Sequence, residues 1–478
     1  MRWNFSKYYF WFILLVFLFG LNVDIQSIEN LSSVKDSVTI AGNISQEASH
    51  TLPEPYMVLP FLILLLMIAT GPIFYRHFWE RHYPKLSVIL GLIPVIYYLF
   101  FLKDTERLLH STAEYLSFIA LLGSLFIASG GILIRVDKKS TPLVNTVFLF
   151  IGAVLANIIG TTGASMVLIR PFIQLNRKRI RPYHIVFFIF TVSNIGGALT
   201  PIGDPPLFLG FLKGINFFWF AKNLWNIWLP VIALVLFIFY IIDSRNKYQG
   251  EDENNYSGKI AISGTRNFIY LGIILISVFL DPAVISWVPS FHPLPFGIRE
   301  IIMFLVMIVS YKTADDKILR DNEFDFEPIR EVAFLFIGIF ATMIPALQLV
   351  SHESQLYGQQ INAGIFFWAT GTLSAFLDNA PTFLNFLSAA MGKFSLNMDN
   401  ILHVKEFLLN DIIYLKAIST AAVFFGAMTY IGNGPNFMVK SISEKAGIEM
   451  PSFFSYLFKY GIMILLPVYF LVWLVFFS

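Results

Sequence analysis

The stretch Thr200-Pro-Ile-Gly-Asp-Pro-Pro206 lies between two strongly apolar runs, IVFFIFTVSNIGGAL before it and LFLGFL after it. Three prolines, a glycine and an aspartate within seven residues are incompatible with a continuous lipid-facing helix. Proline leaves backbone groups unpaired, and a carboxylate such as Asp204 is costly in hydrocarbon. The stretch therefore predicts a helix that is broken near the middle of a membrane, with Asp204 inside the break.

The composition of the whole chain agrees with a membrane protein. The chain has 478 residues, of which 56% are hydrophobic and 13% charged, with a mean hydropathy of +0.68, whereas about a quarter of the residues of soluble domains are charged. It contains no cysteine, which excludes disulfides and cysteine-ligated metal centres. Its basic residues lie in short loops without interleaved aromatic residues, so we expect no nucleic-acid partner. We expect no cofactor either, and the predicted fold class is an all-α polytopic membrane protein.

Hydropathy predicts about 11 spans, since each crossing needs about 20 apolar residues. Residues 1–54 combine a signal-like or transmembrane run at 1–22 with a polar linker, and the sequence leaves cleavage of this run open. After the run at 8–22, the predicted spans lie near 56–75, 86–102, 116–135, 185–212, 224–243, 267–288, 300–311, 331–350, 413–439 and 454–477.

Two further apolar segments, 143–175 and 364–392, are interrupted by polar residues and by glycine or proline. Each is too short for two crossings, so we predict re-entrant hairpins, which require burial in protein or a cavity. With the N-terminus in the cytoplasm, this layout places 23 Lys and Arg residues inside and 8 outside, as the positive-inside rule requires. The expected location is the inner cell membrane.

The layout also predicts an inverted repeat. Residues 55–243 and 267–478, separated by a cytoplasmic linker at 244–266, each hold five spans with one hairpin and one broken helix, at 185–212 and 413–439. Five is an odd number, so the two halves have opposite orientations, a common plan in transporters. The segment GALTPIGDPPLF at 197–208 matches GAMTYIGNGPNF at 426–437 at seven of twelve positions.

A broken helix frees backbone carbonyls and creates two half-helix ends that can hold an ion or a substrate. If hairpin and broken helix meet in each half, each half builds one oxygen-rich site, which suits a hard cation. The first site would contain Asn157, Thr161, Thr162, Asn194, Thr200 and Asp204, and the second Asp378, Asn379, Thr382, Thr429 and Asn433. We predict Na⁺ at the Asp204 and Asp378 sites.

Asp204, Asp378 and Asn379 also have a purely structural interpretation. Asp204 could cap the half-helix that follows a simple proline kink. Asp378 and Asn379 could cap a helix at a tight turn, and this role is compatible with ion binding. We favour ion binding for Asp204 because the same break recurs in the second half of the chain.

The runs GTTGASMVLIRPFI, SNIGGALTPIGDPPLFLGFL, LDNAPT and GAMTYIGNGPNFM resemble those of NhaD-type sodium/proton antiporters, in the ion-transporter superfamily that also contains arsenite permeases and sodium-coupled dicarboxylate and citrate carriers. The resemblance spans roughly residues 56–477. It implies a homodimer with an elevator-like movement of the hairpins and broken helices. It points to Asn157, Asn194, Asp204, Asp378, Asn379 and Thr382 as site residues.

The leading hypothesis is Na⁺(Li⁺)/H⁺ antiport, in which the buried carboxylates of Asp204 and Asp378 bind either cation. The alternatives are a Na⁺-coupled di- or tricarboxylate carrier, such as a citrate carrier, and an arsenite permease. An intramembrane aspartyl protease would also use two aspartates, but its Gly-x-Gly-Asp motif fails at Pro201. We therefore predict a transporter and not an enzyme, with membrane lipid and the transported cations as its partners.

Overall fold

The computed structural model describes residues 52–246, 258–280 and 296–478. The N-terminal run at 1–22, most of the following linker, part of the linker at 244–266 and the end of the span predicted at 267–288 lie outside these ranges. Within them, eight helices are long and apolar enough to cross a membrane, or nine if one bent pair counts as a span. The chain is thus an integral membrane protein, and the predicted all-α polytopic fold class is confirmed.

The described residues of the first half, 52–246, contain seven α-helices and one short strand. They are α1 (Leu59–Phe74), α2 (Arg76–Tyr97), α3 (Thr105–Gly130), β1 (Leu133–Val136), α4 (Pro142–Asn176), α5 (Pro182–Thr191), α6 (Pro205–Leu212) and α7 (Trp219–Ser244). A 3₁₀ turn at Ile195–Leu199 occupies the gap between α5 and α6. This gap is the break that the opening stretch predicts.

The second half begins with a strand and continues with helices. The elements are β2 (Ile260–Ser263), α8 (Arg266–Val278), α9 (Ile298–Thr313), α10 (Asp316–Asp321), α11 (Glu327–Tyr357), α12 (Ala363–Ser374), α13 (Asn379–Lys393), α14 (Ile401–Asn410), α15 (Ile412–Phe425), α16 (Gly434–Lys445), α17 (Phe453–Tyr456) and α18 (Leu466–Phe476). A 3₁₀ turn at Gly426–Met428 lies between α15 and α16. The chain bends by 96° between α14 and α15.

Helix α4 folds back on itself at Gly160, whose φ of 77° and ψ of 155° are not helical. The side chains of Asn145 and Asn176 consequently form two hydrogen bonds, of 2.8 and 3.0 Å. These residues lie 31 positions apart, a distance of roughly 46 Å in a straight helix. The rings of Phe148 and Phe172 also stack, with centroids 5.2 Å apart. The two arms of α4 therefore lie side by side, and the tip is at Gly160.

Helices α12 and α13 form a second pair of adjacent arms, joined by a short turn that ends at Asp378. At the open end, the Lys393 ammonium donates a 2.8 Å hydrogen bond to the carbonyl of Ile361. Along the arms, the rings of Phe366 and Phe386 meet edge to face with centroids 6.2 Å apart. The turn between α12 and α13 lies at the opposite end, near the breaks.

The span predicted at 116–135 differs from the structure, because α3 ends at Gly130. Strand β1 follows and pairs with β2 in an antiparallel ladder, with Leu133 opposite Ser263. The amides of Asn267 and Asn322 donate 2.8 Å hydrogen bonds to the carbonyls of Ala128 and Gly130 at the end of α3. These side chains satisfy carbonyls that have no partner within the helix, and the apolar run continues as a strand.

The two broken helices lie in the interior of the molecule. Every residue of α5 from His184 to Thr191 is buried, and so are residues 417–425 of α15. Helices α1 and α2, in contrast, expose many large apolar side chains, among them Leu66, Phe74 and Ile89. The polar breaks are therefore enclosed by protein, as unpaired backbone at membrane depth requires.

Candidate functional site

The first break is attached to the α4 tip by Asn157. Its amide donates to the carbonyl of Gly196 at 2.6 Å, and its Oδ1 accepts from the backbone N–H of Leu199 at 2.9 Å. The hydroxyl of Thr200 donates to the carbonyl of Asn157 at 2.6 Å and accepts from the N–H of Gly203 at 3.0 Å. Asn157 and Thr200 thus satisfy backbone groups that the break leaves unpaired.

The second break repeats this arrangement. The hydroxyl of Thr429 donates to the carbonyl of Ala375 in the α12–α13 turn and accepts from the N–H of Gly432 at 3.1 Å. The amide of Asn436 donates to the carbonyls of Gly426 and Thr429 at 2.8 and 2.9 Å. In both halves a threonine hydroxyl therefore joins the break to its neighbouring hairpin, in agreement with the repeat in the sequence.

Asp204 lies where the two breaks meet, and its side chain is 1% exposed. Oδ1 accepts hydrogen bonds from the Thr161 hydroxyl at 2.8 Å and from the Asn433 amide at 3.0 Å. Oδ2 accepts from the amide of Asn379. The donors come from the α4 tip, from the second break and from the start of α13. One carboxylate thus connects both hairpins and both breaks.

The simple capping role for Asp204 is not observed. Asp204 occupies the N-cap position of α6, but its side chain makes no capping hydrogen bond, and Asn433 at the start of α16 makes none either. Asp378, in contrast, caps α13 by accepting from the N–H of Ala380 at 3.0 Å. The side chain of Asp204 is therefore directed to partners on other elements.

The two separate sites that we predicted differ from the arrangement in the structure. Asn379 and Asn433, both assigned to the second site, bind Asp204 of the first. Asp378 is half-buried, and its hydrogen bonds lie within its own turn, including one from the Thr382 hydroxyl to its carbonyl at 2.9 Å. The internal repeat places equivalent residues in each half, but only the packing of the halves determines which side chains share a site.

Two predicted residues lie beside this centre without touching Asp204. Thr162 is half-buried and lines a small cleft with Gly160 and Gly203. Asn194 is fully buried and donates to Asn436 Oδ1 at 2.7 Å and to the carbonyl of Ile189 at 2.8 Å. Thr162 and Asn194 therefore remain candidates for lining the site.

The centre contains buried oxygen atoms without a hydrogen-bond partner. Oδ1 of Asn379 and Oδ1 of Asn194 are both in this state, although buried acceptors are normally paired. The Asn379 oxygen belongs to the same amide that binds Asp204. A cation could bind such an oxygen, since amide and carboxylate oxygens are ligands of hard cations.

Among the described residues, Asp204 has no cationic partner. In the described ranges, none of the ion pairs includes Asp204, and no group of three His, Cys, Asp or Glu side chains could hold a metal ion. A buried carboxylate without a charged partner is unfavourable unless a proton or a cation neutralises it. The arrangement is thus suited to alternate binding of H⁺ and a monovalent cation.

Sequence analysis did not identify some polar residues of this region. Asn436 bridges Asn194 to the second break, yet its counterpart in the first half is Leu207, so the repeat pattern did not indicate it. Ser165, on the second arm of α4, was also missed, and its hydroxyl shares a buried hydrogen bond of 2.8 Å with that of Ser193 in the first break. Small hydroxyl residues are common in membrane helices and carry little positional signal.

The comparison with protein families identifies the class of the chain. A family model, CitMHS_2, with the description "Putative citrate transport", matches residues 50–477. No curated protein matches the chain. The family match and the membrane-helical fold together indicate a carrier and not an enzyme. Because the match covers nearly all of the sequence, the chain belongs to the putative citrate transport family.

Proposed function

We propose that the protein is a secondary active transporter that exchanges Na⁺ or Li⁺ for H⁺, and that Asp204 carries the exchanged cation. The observation behind this proposal is one buried carboxylate at the junction of both breaks, with three neutral donors and no ion-pair partner in the described chain. Na⁺ and H⁺ would compete for the carboxylate. Either cation would neutralise it.

The transport cycle follows from this neutralisation. A loaded site can move through the low-dielectric interior, whereas an empty charged site pays a large desolvation cost. We propose that hairpins and broken helices move together in an elevator-like manner, because Asp204 connects all four elements. A homodimer in the inner membrane, two inverted repeats, a cytoplasmic N-terminus and a second Na⁺ site at Asp378 belong to the same proposal.

A second candidate is a Na⁺-coupled citrate carrier, which the family description favours. In the conformation described here, the amides of Asn379 and Asn433 already donate to Asp204. They are therefore not available to a citrate carboxylate, and the negative charge of Asp204 would repel it. Cation exchange consequently agrees better with the geometry, and nothing in the structure favours arsenite as a substrate.

The test uses everted vesicles from cells without their own sodium/proton antiporters. An acid-inside pH gradient is imposed, NaCl, LiCl or KCl is added, and the loss of the gradient is followed by fluorescence dequenching. The wild type is compared with Asp204→Asn, Asp378→Asn and Asp316→Asn. Asp316 is an exposed residue of α10 and serves as the matched control.

We expect Na⁺- and Li⁺-dependent dequenching in the wild type and in Asp316→Asn, and none in Asp204→Asn. Loss of dequenching in Asp378→Asn would show that the Asp378 carboxylate also takes part in cation binding. Retained dequenching would limit Asp378 to capping α13. No dequenching by the correctly inserted wild type would reject cation/proton exchange. Sodium-driven uptake of labelled citrate into right-side-out vesicles would then support the second candidate.

A further inference from the structure

A basic cavity lies at the open end of the α4 hairpin, far along the arms from its tip. Its volume is about 200 Å³. The segment between β1 and α4 forms one wall, and the end of α4 with the following turn forms the other. It is lined by Arg135, Val136, Asp137, Lys138, Ser140, Gln174, Leu175, Arg177, Lys178 and Arg179.

The lining is strongly cationic, because five of these residues are Lys or Arg and only Asp137 is acidic. Arg135 pairs with Asp321 at 2.8 Å, and Arg179 pairs with Asp243 at 2.7 Å. The lining together with these two partners therefore has five basic and three acidic side chains among the described residues.

Arg179 is a buried basic residue of the lining. It is 6% exposed, and its Nη2 donates to Oδ1 of Asp243 at 2.7 Å and to the carbonyls of Asp243 and Asn246 at 2.8 and 3.1 Å. Its Nε is buried and has no hydrogen-bond partner among the residues that the structure describes. An unpaired buried donor of a fixed guanidinium is suited to an oxyanion.

Lys138 and Arg177 both line the cavity, one on each wall, and both are exposed. Neither forms a hydrogen bond or an ion pair with a described residue. They can therefore bind an anion in the cavity without breaking a side-chain hydrogen bond or ion pair with a described residue. Ser140, in contrast, is committed to the hairpin, since its hydroxyl donates to Asn176 at 2.6 Å.

The cavity also adjoins a surface suited to lipid. The first arm of α4 exposes Leu143, Val147 and Ile151 at intervals of four residues, so they form one apolar stripe that begins beside the cavity. The predicted topology places the cavity at the cytoplasmic surface, where anionic lipids attract basic residues. A phospholipid whose phosphate group lies in the cavity would have its acyl chains along this stripe.

We propose that this cavity binds a phosphate group, supplied by an anionic phospholipid headgroup or by free phosphate, between Lys138, Arg177 and Arg179. The ligand would join the two ends of the α4 hairpin. This proposal is independent of the transported ion. It differs from a general excess of positive charge at the cytoplasmic surface because it assigns binding to the charges that line one cavity.

The test uses the full chain purified in mild detergent. Native mass spectrometry measures the binding of phosphatidylglycerol and, for comparison, of zwitterionic phosphatidylcholine. A parallel thermal-unfolding titration with inorganic phosphate tests the free anion. The cavity variant is Lys138→Gln with Arg177→Gln. The matched control is Arg245→Gln with Lys445→Gln, which removes two exposed charges outside the cavity and on the same predicted side.

A basic residue that lies beside the bound headgroup changes the affinity for the anionic lipid about fivefold. The cavity variant should therefore raise the Kd for phosphatidylglycerol about 25-fold, whereas the control should change it less than about twofold. Stabilisation by inorganic phosphate that the cavity variant loses would identify free phosphate as the source. Equal losses in both variants, or no binding of either phosphate probe by the wild type, would overturn the proposal. If the double variant elutes as an aggregate, Arg177→Gln alone is expected to raise the Kd about fivefold.

Discussion

The tip of the α4 hairpin depends on Gly160, and the substitution Gly160→Ala tests this dependence. With φ at 77° and ψ at 155°, Gly160 occupies a backbone region that only glycine populates readily. A side chain there costs about 1–3 kcal/mol in backbone strain. An added Cβ would also lie 3.2 Å from the carbonyl oxygen of Ile202, which is a tight contact. We expect a total loss of about 2–3 kcal/mol in the free energy of unfolding.

The same substitution at Gly272 provides a matched control. Gly272 lies inside α8, and an added Cβ there would meet nothing within 4 Å. Alanine in a helix interior is favoured over glycine by about 0.5–1 kcal/mol. The two Gly→Ala variants should therefore have opposite effects on stability, although they change the same number of atoms.

Thermal unfolding of the purified chain in detergent, followed by circular dichroism, measures both variants. Gly160→Ala should lower the apparent Tm, and Gly272→Ala should leave it equal or raise it. Gly160→Ala should also impair transport, because the next residue, Thr161, binds both Gly203 and Asp204 at 2.8 Å. A Tm of Gly160→Ala equal to or above the wild-type value would refute the requirement for glycine at the tip.

Three other predictions concern charged and polar contacts. Lys213→Met should destabilise the protein by about 3–5 kcal/mol, because Lys213 pairs with Glu114 and Asp399 at 2.7 Å each. Thermal unfolding of the double variant Lys213→Met with Glu114→Gln should show that part of this stability is recovered. Burial raises the pKa of Asp399, but the charge and hydrogen bond of Lys213, together with the charges of His110 and Arg107, hold the pKa below its ordinary value. The ionised Asp399 carboxylate thus contributes to stability above the ordinary pKa of aspartate, and this contribution is lost as the pH falls below that value. The Tm should therefore fall less on acidification in Lys213→Met than in the wild type. Asn433→Ala removes a donor to Asp204 and should cost about 1.5–3 kcal/mol; an unchanged Tm together with unchanged Na⁺-dependent dequenching would contradict the role assigned to Asn433.

Much of the architecture could be predicted because membrane insertion imposes strong rules on sequence. A span needs a long apolar run, and a break needs proline, glycine and polar residues, so both breaks appear in the sequence near the positions where the structure has them. The end of α3 at Gly130 was missed because residues 132–134 remain apolar. Hydropathy does not distinguish the end of a helix from a short apolar strand such as β1.

The sequence alone determined that the chain crosses a membrane, that its crossings are helical, and that two matching breaks hold polar residues at 200–204 and 429–433. These features depend on local composition and spacing. Only the tertiary structure decided that Asp204 binds Thr161, Asn379 and Asn433, and that Asp378 turns to its own helix. Asp204 is 229 residues from Asn433, and no local pattern specifies a contact at that separation. The packing of the two hairpins against the two breaks determines it.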